Sequence, residues 1–104
     1  MRNTRSRFLA CLAFLAFSSA AQADLKLATS KNCMACHAVD RKLVGPSFKS
    51  VAEKYVDKTG TAEKLEAKVL KGGAGVWGPV PMPANGQLTA AEAKQLVAWV
   101  LAQK

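Results

Sequence analysis

Cys33-Met34-Ala35-Cys36-His37 is the stretch that decides how the rest of this chain reads. It has the form C-x-x-C-H, the attachment signature of c-type haem. The spacing has a physical reason: two thiols add across the two haem vinyl groups, and the next residue places its imidazole under the iron. Competing readings lack partners. A structural zinc site needs four ligands, usually Cys or His, and beyond residue 23 the chain holds only Cys33, Cys36 and His37 of those types. A thioredoxin-like pair expects a βαβ setting, and no segment here alternates apolar and polar residues for long. A simple short-loop disulfide leaves the adjacent imidazole unexplained.

Upstream, Arg2, Arg5 and Arg7 precede the apolar run Phe8–Phe17, and small residues then end in Ala21-Gln22-Ala23. A basic start, a short apolar run and an A-x-A site describe a secretory signal peptide over residues 1–23. The run is too short to span a bilayer, which takes about 20 residues, so no membrane anchor is expected. Residues 24–104 then form one domain, exported to the periplasm. The formal charge of the whole chain is +8; without the three arginines and with no acid lost it becomes +5. Nucleic-acid binding is not expected, because no basic cluster is interleaved with aromatics and the chain is exported. A domain of this size builds a marginal core by itself, so a cofactor that contributes to the core is expected.

Downstream the pattern is helical. Asp24–Lys31 reads as a two-turn helix before the cysteine pair. Ser47 caps a helix in which Phe48, Val51, Ala52, Tyr55 and Val56 recur with helical period, broken by Gly60. Thr61 opens another, with Leu65, Val69 and Leu70 on one side, stopped by Gly72-Gly73. Thr89-Ala90-Ala91-Glu92 is a capping box ahead of the stripe Ala93, Leu96, Val97, Val100 and Leu101. The domain reads as all-α. Residues 72–88 are too rich in Gly and Pro for regular structure. A loop of that length is expected to serve a function, here to wrap around something. Gly73-Ala74-Gly75-Val76-Trp77-Gly78 matches a dinucleotide fingerprint, but a helix precedes it and prolines follow, which excludes that reading.

The second axial ligand follows by elimination. Haem iron in proteins is held by His, Met, Cys or Tyr. His37 is the only histidine, and Cys33 and Cys36 are consumed as thioethers. Met1 leaves with the leader, Met34 sits inside the attachment segment, and Tyr55 reads as core. Met82 remains, in Pro79-Val80-Pro81-Met82-Pro83, where three prolines stiffen the chain around a soft thioether. A haem enzyme, such as a small peroxidase, would need an open iron position and polar distal groups. A gas sensor would need Met82 to dissociate.

Together with Val44-Gly45-Pro46, Gly75-Val76-Trp77-Gly78-Pro79-Val80-Pro81-Met82-Pro83 and Ala98-Trp99-Val100-Leu101, these residues resemble a small bacterial class I cytochrome c of the cytochrome c-551 group, from Asp24 to Lys104. The resemblance implies the class I fold, about four short helices around one covalently attached haem c with His37 and Met82 on the iron. It also implies that the Pro46 carbonyl accepts the His37 ring N–H, that Trp77 points its indole N–H at a haem propionate, and that Asn85 hydrogen-bonds near the ligand sulphur. Lys68 stands where close relatives carry arginine, and Asn85-Gly86-Gln87-Leu88 is one residue longer. The implied function is that of a monomeric periplasmic one-electron carrier, not an enzyme. Its partners would be redox proteins with acidic docking surfaces, such as a nitrite reductase, a terminal oxidase, a peroxidase or a membrane quinol-oxidising complex. Lys26, Lys31, Arg41, Lys42 and Lys49 flank the attachment segment as a candidate basic rim; Lys54, Lys58, Lys64, Lys68 and Lys71 read as solvated helix faces.

Overall fold

The computed structural model describes residues 20–104, so most of the expected leader lies outside the described residues. The described chain forms four α-helices: α1 (Ala20–Ser30), α2 (Phe48–Tyr55), α3 (Thr61–Lys71) and α4 (Ala90–Leu101). A short 3₁₀ turn, Cys33–Ala35, follows α1. The one β-type pairing among the described residues is an isolated bridge between Gly73 and Met82. The all-α reading holds.

Local chemistry sets the helix ends. The Ser47 hydroxyl accepts the Ser50 N–H at the start of α2. Thr89 accepts the Glu92 N–H at 3.1 Å while the Glu92 carboxylate accepts the Thr89 N–H at 3.0 Å, the reciprocal capping box that opens α4; such a cap contributes about 1 kcal/mol. Gly72 stops α3 at φ 74°, a left-handed value at which a side chain is strained. A Cβ there would also meet the Met82 carbonyl oxygen at 2.5 Å. Two ends differ from expectation. The first helix already includes Ala20–Ala23, ahead of the expected start at Asp24, and alanine and glutamine suit a helix. The second ends at Tyr55, before Gly60, because Asp57 turns the backbone left-handed at φ 58°.

The central element is α4, against which α1, α2 and α3 pack. Ala28, Phe48, Leu88, Leu96 and Trp99 form the buried cluster, with Leu27, Met34, Val39, Val69, Leu70 and Val100 against it. Trp99, outside the apolar stripe expected for this helix, is buried and meets Phe48 edge-on at 5.3 Å; an aromatic pair of this kind contributes about 0.5–1.5 kcal/mol beyond its area. Leu65 of α3 lines a cleft, and Val69 both lines it and packs against the core. No described helix is long and apolar enough to cross a membrane.

Candidate haem site

A cleft of about 420 Å³ runs between α2 and the segment before it on one side and α3 and the 72–88 loop on the other, with α4 at its base. Cys33, Cys36, His37, Pro46, Trp77, Met82 and Asn85 all line it. Seven residues scattered over half the sequence therefore share one mostly apolar space. The function expected of the long loop is visible here, because residues 73–83 form a continuous wall of this cleft.

The attachment segment is built on a left-handed hinge. Asn32 takes φ 64°, a conformation asparagine tolerates better than most residues. The Cys33 carbonyl then accepts the N–H groups of Cys36 and His37 at 3.2 and 3.0 Å. This tight turn presents both sulphurs and the imidazole to the cleft. The two cysteines are half-buried and not joined to each other. Burial pushes the Cys33 thiol above its ordinary value, against the smaller opposing effect of its backbone hydrogen bond. A redox or nucleophilic cysteine carries the opposite, a depressed value.

His37 is held from several directions. Its Nδ1 lies 2.8 Å from the Pro46 carbonyl oxygen. That oxygen can only accept, so Nδ1 carries the proton and Nε2 keeps a free lone pair for a metal. Phe48 stacks with the ring at 5.1 Å. Gly45 comes so close that a Cβ there would lie 2.5 Å from His37 Cε1. The Gly45 N–H is itself fixed to the Cys36 carbonyl at 2.8 Å. Among the described residues no three His, Cys, Asp or Glu side chains converge on a point that would hold a metal ion by themselves.

On the opposite wall, Met82 and Gly73 exchange backbone hydrogen bonds at 2.8 and 3.0 Å, pinning the proline-rich stretch to the end of α3. Met34, the other methionine of the domain, packs against the core and does not line the cleft. Asn85 donates through Nδ2 to the Val69 carbonyl at 2.9 Å. Trp77 is 43 % exposed at the cleft mouth, with the Lys54 ammonium 5.4 Å above its ring. Tyr55 differs from its expected core role: it is half-buried on the cleft wall, with Lys54 and Lys58 near its ring. Of the expected basic rim, Lys42 lines the cleft, whereas Lys31 is turned to Glu92 at 3.4 Å. Lys68, from the helix-face set, lines the cleft as well. Sequence reasoning missed Gly45 and Phe48 as groups that hold His37. The available signal was that Gly45 precedes a proline that must itself reach the imidazole.

A covalent haem fits this donor set. The cleft lining brings together two thiols, an imidazole bonded through Nδ1 to the Pro46 carbonyl, a thioether and mostly apolar walls. Comparison with known proteins agrees. A family model described as cytochrome c matches residues 25–104. The chain is 49 % identical over 84 residues to a cytochrome c-552 of Nitrosomonas europaea, covering 81 % of this chain and 82 % of that one. It is 52 % identical over 79 residues to a cytochrome c-551 of Azotobacter vinelandii, covering 76 % and 95 %. The crystal structure of wild-type Nitrosomonas europaea cytochrome c552 superposes with a TM-score of 0.75 at 46 % identity, over 77 % of this chain and 99 % of that one. The chain belongs to the cytochrome c family. Within that family it is a class I bacterial c-type cytochrome of the c-551/c-552 group, an electron-transfer protein with a covalently bound haem c.

Proposed function

We propose that His37 and Met82 are the axial ligands of the haem iron and that the protein is a periplasmic electron shuttle released from its leader after Ala23. The observation that carries the ligand assignment is that His37 and Met82, far apart in sequence, line one cleft, with His37 Nδ1 bonded to the Pro46 carbonyl. When bound, the haem supplies a one-electron ferric/ferrous couple. The chain supplies the rest. Cys33 and Cys36 would anchor the ring, the Pro46 carbonyl would fix the orientation of the His37 ring, and the 72–88 loop would deliver Met82 and cover the cleft. Met ligation and an apolar pocket both favour the ferrous form and raise the potential. With His37 and Met82 holding the iron in both oxidation states, little rearrangement would accompany the electron. Trp77, at the exposed mouth, is placed to donate its indole N–H to a propionate, its only hydrogen-bonding capacity.

The mouth of the cleft is also the proposed docking face. Val44, Val76, Trp77 and Val80 are exposed there, next to Lys42, Lys54 and Lys68. An apolar patch with a basic rim suits redox partners with acidic docking surfaces, through steering more than affinity. The leader assignment rests on the residue 1–23 pattern and its A-x-A site. One experiment tests attachment and processing together: acid-acetone extraction and whole-protein mass of the exported form. The expected result is haem retained on the polypeptide and a mass equal to residues 24–104 plus one haem. Release of the haem into the organic phase contradicts covalent attachment; a mass that includes residues 1–23 contradicts cleavage.

A further inference from the structure

The lysines after α2 and along α3, expected to be plain solvated faces, converge on a second cleft of about 470 Å³, a size common among small-molecule sites. Lys58, Lys64 and Lys68 line it with Tyr55, Leu65 and Val76, and no carboxylate does. Lys64 and Lys68 stand one turn apart on α3, and Lys58 comes from the segment before that helix. The sequence places Glu53, Asp57, Glu63 and Glu66 close by. Yet among the described residues the only ion pair is Lys31–Glu92, so the three ammoniums of the cleft are uncompensated.

Like charges one helical turn apart repel, a cost that a bound anion would remove. The arrangement is also partly ordered in advance. Lys58 Nζ lies 5.9 Å from the Tyr55 ring centroid and Lys54 Nζ 6.0 Å from it, both at cation–π range. Lys58 is thus held beside the cleft it lines, which lowers the ordering cost of capturing a ligand. A single exposed ion pair gains little. The ligand must therefore meet two or three ammoniums at once, as a short chain of phosphates does and a monovalent anion does not.

We infer that this cleft is a binding site for a multivalent oxyanion of the inorganic polyphosphate class, held by Lys58, Lys64 and Lys68. Tyr55, Leu65, Lys68 and Val76 also line the larger cleft, so the two spaces share a wall. Negative charge on one side of that wall favours the more positive ferric iron on the other. By linkage, the ferric protein binds the anion more tightly by the same factor. This coupling rests on the haem occupying the larger cleft; the anion site itself does not. Lys58 and Lys64 do not line the larger cleft, so they can be changed without touching it.

The test is calorimetric titration of the ferric and ferrous holoprotein with tripolyphosphate at fixed ionic strength. Three proteins are compared: the parent, Lys58→Gln with Lys64→Gln, and Lys26→Gln with Lys94→Gln. The last pair removes the same charge from exposed lysines that line neither cleft, and circular dichroism checks that all three fold. The parent should bind one tripolyphosphate. The Lys58/Lys64 variant should bind it about 10-fold more weakly, and the Lys26/Lys94 variant within about 2-fold of the parent. Equal weakening in both variants, or no saturable binding by the parent, overturns the site and leaves only diffuse attraction to a basic protein. Inorganic phosphate binding as tightly as tripolyphosphate overturns the multivalent class. The ferric parent should bind about 3-fold more tightly than the ferrous one, a potential lowered by about 28 mV at saturation. Equal affinity in the two states overturns the coupling to the haem, a result separate from the fate of the anion site.

Discussion

Gly45→Ala is a one-carbon change that should cost several kcal/mol. The added Cβ would lie 2.5, 2.8 and 3.0 Å from His37 Cε1, Nδ1 and Nε2. Ordinary contact begins near 3.4 Å, so ring or backbone must give way by about 0.9 Å. Neither side can yield freely. The ring is tied to Pro46 at 2.8 Å and stacked with Phe48 at 5.1 Å, while the Gly45 N–H is bonded to the Cys36 carbonyl at 2.8 Å. Moving the ring away by that distance lengthens the Pro46 bond past hydrogen-bonding range. Overpacking costs about 1–3 kcal/mol and a lost hydrogen bond about 1 kcal/mol more, giving about 2–4 kcal/mol in total. For a domain of this size that lowers Tm by roughly 8–30 °C. Guanidinium unfolding of the holoprotein, followed by helical circular dichroism and haem absorption, measures the loss at unchanged m-value. A loss below about 0.5 kcal/mol with an unaltered haem spectrum would refute the claim that His37 is held tightly between Gly45, Pro46 and Phe48.

Three further outcomes follow from the same structure. Replacing both Cys33 and Cys36 by Ala should give a largely disordered chain, because the haem fills the cleft and ties the attachment turn, the α3 face and the 72–88 loop together; native-like helical circular dichroism in the haem-free variant would contradict this. The Thr89 backbone N–H, and after it Lys31, hold the Glu92 carboxyl below its ordinary value. The unfolded chain therefore takes up that proton more readily than the folded one. The Glu92 contribution is fully present above the ordinary carboxylate value and is lost as pH falls through the lowered folded value. Glu92→Gln should accordingly be less stable than the parent at neutral pH, with the difference closing in acid; a difference that is constant with pH would sink the assignment. At the docking face, Lys42→Glu with Lys54→Glu should slow electron exchange with an acidic partner several-fold at low salt and little at high salt, as stopped-flow rates would record; an equal slowing at both salts would argue against a steering role.

What the sequence made legible was chemistry confined to neighbours along the chain. The Thr89 capping box, the Ser47 cap and the Gly72 stop were readable because each depends on residues within one turn. Cys33, Cys36 and His37 were readable because the spacing is itself the site. The place of Met82 on the same cleft was reachable by counting ligand types, since so few remained. Side-chain contacts made at a distance were not readable. The closeness of Gly45 to His37 depends on how the loop from Cys36 folds back, which no periodicity encodes. Trp99 lies off the expected stripe and becomes buried because Phe48 meets it edge-on from another helix. Tyr55 followed the helical period of α2 yet stands on the cleft wall, as Phe48 and Val51 of the same helix also line it. Lys31, expected on a basic rim, is drawn instead to Glu92 and the Gln87 carbonyl, partners far away in sequence. The 3₁₀ turn at Cys33–Ala35 is too short for any pattern to reveal.

Carbon monoxide titration of the ferrous holoprotein at neutral pH, beside Met82→Ala, tests the ligand assignment most directly. Met82 lines the same cleft as His37 and its loop is pinned by the Gly73 bridge, so the parent should resist the ligand. Met82→Ala should bind it readily and show a lowered reduction potential, because loss of the thioether removes a ligand that favours ferrous iron. Rapid carbon monoxide binding by the parent, or an unchanged potential in Met82→Ala, would contradict His37/Met82 ligation and place an enzyme or a gas sensor ahead of the electron carrier.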